Sequence, residues 1–223
     1  MALEIFQTEV GLMSNFNELV ADTEARVCAV VDPAFEVDRL LKEAAKRGWR
    51  IEVVLVTHTH HDHVDGVEEI VRATGAKVYV GAGEAEALAR AAPSAQVTPL
   101  RGGETIAVGA LRIEALPTPG HTVSGTSYLV DGNVFTGDTL FIGGCGRTDF
   151  PGGDAPTMWR SLQRLASLPE ETRVWPGHDY GQTPTSTIGW ERTSNPYLLC
   201  KDEAEFIALR TGKNAPRPIK RTT

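Results

Sequence analysis

Ile51-Glu52-Val53-Val54-Leu55-Val56-Thr57-His58-Thr59-His60-His61-Asp62-His63 is the stretch on which the reading of this chain turns. Its first half is an apolar, β-branched run, the pattern of a strand buried on both faces. Its second half becomes polar at once and holds four histidines and an aspartate within six consecutive positions. Imidazole and carboxylate are donors suited to zinc, iron or manganese. The competing reading, a solvated turn that is merely histidine-rich, must also account for the other two of the six histidines. His121 follows Pro119-Gly120 and His178 follows Pro176-Gly177. All six lie outside the apolar stripes of the expected helices, so core packing explains none of them well.

Outward from this segment, short apolar runs alternate with amphipathic ones. Val27 to Val31 reads as a strand ended by Asp32-Pro33, and Val37, Leu40, Leu41 and Ala44 fall at helix spacing, with Gly48 as a stop. Val67 to Thr74 reads as a short helix closed by Gly75, Lys77 to Val80 as a strand, and the alanine-rich Glu84 to Ala91 as a helix. Two hairpins are expected: Thr105 to Val108 with Leu111 to Ala115, and Ser127 to Val130 with Asn133 to Thr136. Gly143 to Gly153 holds five glycines and a proline and must be irregular. Asp154 can cap the following helix, which tolerates Pro156 in its first turn and carries Met158, Leu162 and Leu165 as its stripe. Arg173 to Trp175 reads as a strand, Glu203 to Leu209 as a last helix, and Lys213 to Thr223 as a basic, proline-containing tail.

Polar residues of functional type follow strand ends, after Val56, Leu116, Thr136 and Trp175, and four such loops on one sheet edge point to a single site. Asp138, in Phe135-Thr136-Gly137-Asp138, would by itself serve as a turn cap; beside the histidines it becomes a terminal or bridging ligand. His58, His60, His121 and Asp138 can form one metal site, and Asp62, His63 and His178 a second that shares Asp138. Asp32, at a strand end, either holds a ligand imidazole by its other nitrogen or only ends the strand in an Asp-Pro turn. Thr57 and Thr59 can hydrogen-bond around the ligand loop.

The 223 residues suffice for one sizeable core, and 41% hydrophobic with 23% charged residues fits a globular chain. We expect one domain over 1–223, with 199–223 as a short C-terminal extension. A net charge of -7, with no lysine-arginine cluster near the histidines, speaks against a nucleic-acid partner. Three cysteines make no complete disulfide framework. The first fifteen residues lack the pattern of a signal or transit peptide, and no apolar run spans a bilayer. The expected location is therefore the cytoplasm, with no membrane partner.

His58, His60, Asp62 and His63, with His121, Asp138 and His178 further on, resemble the signature of the metallo-β-lactamase fold superfamily over about Val10 to Leu198. The resemblance implies an α/β chain: an αββα sandwich of two mixed sheets flanked by helices, with a metal site on the sandwich rim. His61 is not among the family's ligands. Three branches compete: the persulfide dioxygenases, the glyoxalase II enzymes, and short generic hydrolases close to the latter. ETHE1-type persulfide dioxygenases use one Fe(II) to oxidise glutathione persulfide with O2 to sulfite and glutathione. There the resemblance implies His58, His121 and Asp138 as the iron ligands, with His60, Asp62, His63 and His178 around them. Glyoxalase II enzymes hydrolyse S-lactoylglutathione at a dinuclear zinc or iron centre, for which all seven ligands are present.

Gly144-Cys145-Gly146-Arg147-Thr148-Asp149-Phe150, His178-Asp179-Tyr180 and Glu191-Arg192-Thr193-Ser194-Asn195-Pro196 resemble the dioxygenases. Two features depart from them: Pro176-Gly177 stands where mitochondrial dioxygenases have Pro-Ala, and Phe150-Pro151-Gly152-Gly153-Asp154, with Ser186-Thr187-Ile188-Gly189, resembles short generic hydrolases. Arg147 and Tyr180 are implied glutathione contacts, unless Arg147 only pairs with Asp149 or Asp154. Cys145 is either a thiol near the sulfur substrate or a small buried residue. Trp159 and Trp190 read as packing residues or interface anchors and not as substrate contacts. The resemblance also makes a homodimer the expected assembly.

Overall fold

In the computed structural model, which describes residues 2–213, 215 and 216, the first sheet takes the N-terminal half of the chain. β1 (Leu3–Val10), β2 (Asn15–Asp22) and β3 (Val27–Val31) run antiparallel. α1 (Val37–Arg47) then crosses to β4 (Arg50–Val56), which lies parallel to β3. α2 (His61–Val64) and α3 (Val67–Thr74) lead to β5 (Lys77–Gly81), and α4 (Ala85–Ala91) to β6 (Val97–Leu100), both again parallel.

The second sheet begins with β7 (Thr105–Val108) and β8 (Leu111–Pro117), followed by β9 (Thr126–Val130) and β10 (Asn133–Gly137). A small ribbon of β11 (Leu140–Phe141) and β12 (Gly144–Cys145) and helix α5 (Ala155–Ala166) precede β13 (Arg173–Pro176). β14 (Ser186–Thr187), α6 (Ile188–Ser194) and α7 (Glu203–Thr211) complete the described chain. The strand orders are β1-β2-β3-β4-β5-β6 and β14-β13-β10-β9-β8-β7.

Side-chain alternation along the strands sets the layers. Val54 and Val56 of β4 pack against α1, α3 and α4 through Leu40, Ile70 and Leu88, while Val53 and Leu55 face the second sheet. Ile106, Ile113, Tyr128 and Phe135 meet them between the sheets. The opposite face of the second sheet, with Val134 and Val174, is covered by Met158, Leu162 and Leu165 of α5, Ile188 of α6 and Phe206 of α7. The result is the expected αββα sandwich of two mixed sheets. β4 is buried on both faces because parallel neighbours and helices leave neither side to water.

Every strand and helix named from the sequence is present, with ends shifted by a residue or two. Asp154 caps α5 by accepting from the Thr157 amide at 2.8 Å. The β1–β2 hairpin, α2, β6, the β11–β12 ribbon, β14 and α6 are additions, and Gly144–Cys145 of the ribbon lies within the stretch expected to be wholly irregular. Of the tail expected over 213–223, residues 214 and 217–223 lie outside the described residues. No helix among the described residues is long and apolar enough to cross a membrane.

Candidate metal centre

The loops after β4, β8, β10 and β13 converge on one edge of the sandwich and carry the seven residues named from the sequence. His58, His60 and His121 offer nitrogens within 4.8 Å of one another, and so do the ligand atoms of Asp62, His63 and His178. Asp138 lies between the two groups: its Oδ2 is 3.5 Å from His121 Nε2, and its Oδ1 is 3.4 Å from both His63 Nε2 and His178 Nε2. His61 points away, its side chain 77% exposed.

Hydrogen bonds on the far side of each ring decide which nitrogen keeps a lone pair. His121 Nδ1 donates to the Arg147 carbonyl at 2.7 Å, and His178 Nδ1 donates to the Met13 carbonyl at 2.9 Å. His63 Nδ1 donates to Asp32 Oδ2 at 3.0 Å. The Thr57 hydroxyl donates to the same Asp32 oxygen at 2.6 Å, and so it can only accept from His58 Nδ1, 3.0 Å away. Asp32 Oδ1 accepts the Thr57 amide at 2.7 Å. In all four rings Nε2 is thereby turned inward as an acceptor. His63 Nε2 and His178 Nε2 lie 3.2 Å apart, a pair that either a shared proton or a cation between them satisfies. His58 Nε2 and Asp138 Oδ1 are buried without a hydrogen-bond partner, a costly state for polar atoms unless an ion takes them up. The residues present therefore fit a divalent metal held by nitrogen and oxygen donors.

The electrostatics agree. Burial, followed by the neighbouring His63, keeps the His58 imidazole well below its usual range and so neutral. Burial alone would raise the Asp138 carboxyl, but His178, His63 and His121 hold it well below the carboxylate range. Burial alone would depress the His63 imidazole, yet Asp138, Asp32 and Asp62 lift it to about 9, so a cation competes with a proton at this ring.

Local backbone features make the convergence possible. Gly120, just before His121, has φ +130°, and a Cβ there would lie 2.4 Å from the Met158 backbone of α5. A Cβ at Gly177 would lie 2.7 Å from Asp138 Oδ1 and 2.9 Å from His63 Cε1. Both Pro-Gly pairs thus let the chain approach a neighbour closely at the moment it presents a ligand.

Four supporting groups were not named from the sequence. Asn15 Nδ2 donates to the Asp62 carbonyl at 2.8 Å and to Asp62 Oδ2 at 3.0 Å. The Met13 and Arg147 carbonyls orient His178 and His121, and Glu84 joins Thr59 to Thr122. Backbone carbonyls leave no signature in a sequence. For Asn15, the only available signal was a polar residue opening a strand.

Among the expected substrate contacts, Arg147 is exposed and forms a two-pronged pair with Asp149, at 2.8 and 2.7 Å, while its guanidinium lies 4.3 Å over the Phe150 ring. Phe150 meets His60 edge-on at 5.3 Å. Tyr180 stacks on His178 at 4.5 Å, on the other side of the cluster. Cys145 is buried in β12 among the side chains under α5, and burial pushes its thiol up to about 12, an environment that suits packing and not a thiolate. Trp159 packs on Phe206, and Trp190 is 42% exposed.

Residues 19–178 match the metallo-beta-lactamase superfamily. The chain belongs to that superfamily. Among solved structures of this fold, ETHE1 from Myxococcus xanthus superposes with a TM-score of 0.86 at 36% identity, covering 98% of this chain and 93% of that one. TTHA1623, solved in a di-iron-bound form, superposes with a TM-score of 0.73 at 35% identity, covering 86% of this chain and all of that one. A hydroxyacylglutathione hydrolase of Pseudomonas entomophila is 41% identical over 187 residues, 82% of this chain and 68% of the hydrolase. The chain spans about half the length of the beta-lactamase hydrolase-like proteins that it matches.

Proposed function

We propose that this chain is a persulfide dioxygenase that converts glutathione persulfide and O2 to sulfite and glutathione, with Fe(II) held by His58, His121 and Asp138. The observation that carries the reading is the likeness to the Myxococcus xanthus ETHE1, which covers 98% of this chain and 93% of that one, whereas the hydroxyacylglutathione hydrolases that match are covered to between 68% and 80% of their length. The dioxygenase-like stretches Gly144 to Phe150 and His178 to Tyr180 border the cluster on two sides and add to it. Bound at these ligands, a ferrous ion supplies the redox chemistry that couples dioxygen to sulfur.

The chain's own groups have definable roles. Arg147 binds Asp149 through Nε and Nη2, which leaves its Nη1 edge for a glutathione carboxylate. Tyr180 keeps its proton, because burial and then the charges of Asp138 and Asp62 push its hydroxyl up to about 12, so the hydroxyl is available as a donor to a bound substrate. Phe150, 38% exposed, sets an apolar ring edge-on to His60 at the rim of the cluster.

The second reading is a glyoxalase II-like hydrolase of S-lactoylglutathione. It is favoured by the Asp62, His63 and His178 group, which makes a second metal position, and by the di-iron form of TTHA1623. One paired assay on iron-loaded protein separates the two. Oxygen uptake with sulfite release from glutathione persulfide, without hydrolysis of S-lactoylglutathione, is the expected result. Thioester hydrolysis without oxygen uptake overturns it.

A further inference from the structure

Glu84 closes the short turn Ala82–Glu84 after β5, with 4% of its surface exposed. Its Oε2 accepts the Thr59 amide at 2.5 Å and the Thr59 hydroxyl at 2.7 Å. Its Oε1 accepts the Thr122 hydroxyl. Thr59 sits between His58 and His60, and Thr122 directly follows His121. One buried carboxylate therefore ties together, from behind, the two loops that bring in all three imidazoles of one metal position. The same seam is closed by the Gly83 amide on Ser124 Oγ at 3.1 Å and the Thr126 amide on the Thr57 carbonyl at 2.8 Å. A Cβ at Gly81 would lie 1.9 Å from the Ser124 carbonyl oxygen, so the strand end and the loop after His121 are in direct backbone contact.

The other group depends on different partners: Asn15 for Asp62, Asp32 for His63 and the Met13 carbonyl for His178. We propose that Glu84 is a positioning residue, a clamp that fixes the His58–His60 loop against the His121 loop and so sets the affinity of the metal position those rings define. Charge-assisted bonds from three donors make it a stiff clamp. Without it, an amide and two hydroxyls lose their acceptor and the loops lose their cross-link. The inference concerns how the ion is held and stands under either activity proposed above.

The test is Co(II) titration of the metal-free protein against a chromophoric chelator, with the visible absorption of bound cobalt as a second readout. Glu84→Ala is expected to lose tenfold or more in affinity, in line with the range of about 10–100-fold for groups that orient ligands, and to change the cobalt spectrum. Thr122→Val is expected to lose affinity in the same direction, and Thr122→Ser, which keeps the hydroxyl, to bind as the wild type does. Leu40→Ala, which opens a cavity under α1, is expected to lower the melting temperature without moving cobalt affinity. Wild-type affinity and spectrum in Glu84→Ala overturn the proposal. So does an equal loss in Leu40→Ala, or Thr122→Val and Thr122→Ser binding alike. Should Glu84→Ala fail to fold, the Thr122 pair decides.

Discussion

Asp32 is where a single atom change has the clearest consequence. It is buried, with φ +42°, a conformation that asparagine adopts at least as readily, so Asp32→Asn leaves backbone and volume almost unchanged. The carboxylate accepts three hydrogen bonds: the Thr57 amide on Oδ1, and the Thr57 hydroxyl and His63 Nδ1 on Oδ2. An amide that keeps its oxygen on the Thr57 N–H turns two N–H donors toward two other donors. One escape moves the His63 proton to Nε2, where it blocks a lone pair the metal needs. The other turns the Thr57 hydroxyl away from its role as acceptor for His58. The first change disturbs His63 of one metal position and the second His58 of the other. Each hydrogen bond to a charged group contributes about 1.5–3 kcal/mol, so losing two costs roughly 3 kcal/mol or more in folding stability. Metal affinity is expected to fall by about 10–100-fold. Metal content after dialysis against a defined chelator, together with a melting curve of the metal-free protein, measures both. If Asp32→Asn retains metal within twofold of the wild type, the tautomer argument is wrong.

Three other outcomes are expected. Gly177→Ala places a methyl 2.7 Å from Asp138 Oδ1, and should lower metal affinity on the order of tenfold with a near-normal melting temperature in the metal-free state; unchanged metal content would refute the crowding. Glu18, buried under β1, is pushed up to about 8, mainly by burial and against the Gln7 hydrogen bond, from an ordinary 4.5. The folded state thus holds a proton that the unfolded chain releases, and this contribution is complete below pH 4.5 and lost as pH rises through about 8. Glu18→Gln should therefore melt close to the wild type at pH near 4.5, increasingly above it as pH rises to about 8, and by a constant margin beyond; a constant gap from pH 4.5 to about 8 would show that Glu18 does not titrate in this window. Arg147→Ala, at the exposed rim, should raise KM for a glutathione-based substrate with little change in kcat and no loss of bound metal, because the His121 contact uses the Arg147 carbonyl and not its side chain. An unchanged KM would leave Arg147 as loop scaffolding with Asp149.

Much of this molecule was written locally. A β-branched run followed by a histidine-rich loop, Pro-Gly pairs before His121 and His178, and Asp138 after a strand were enough to name all seven residues of the cluster; the sandwich that carries it came only from the family resemblance of those residues. Period-2 and period-3.6 patterns belong to single elements and can be read along the chain. β2 escaped that reading because Asn15, Asn17, Glu18 and Asp22 break its apolar pattern although all eight of its residues are buried. Only tertiary structure decided which ring nitrogens face inward, since that depends on carbonyls of Met13 and Arg147 and on Asp32, each far from its histidine in the chain. It also decided that Glu84, read along the chain as the start of a helix, lies behind two ligand loops. Hydrogen-bond direction depends on three-dimensional neighbours, and residue order alone carries no record of them.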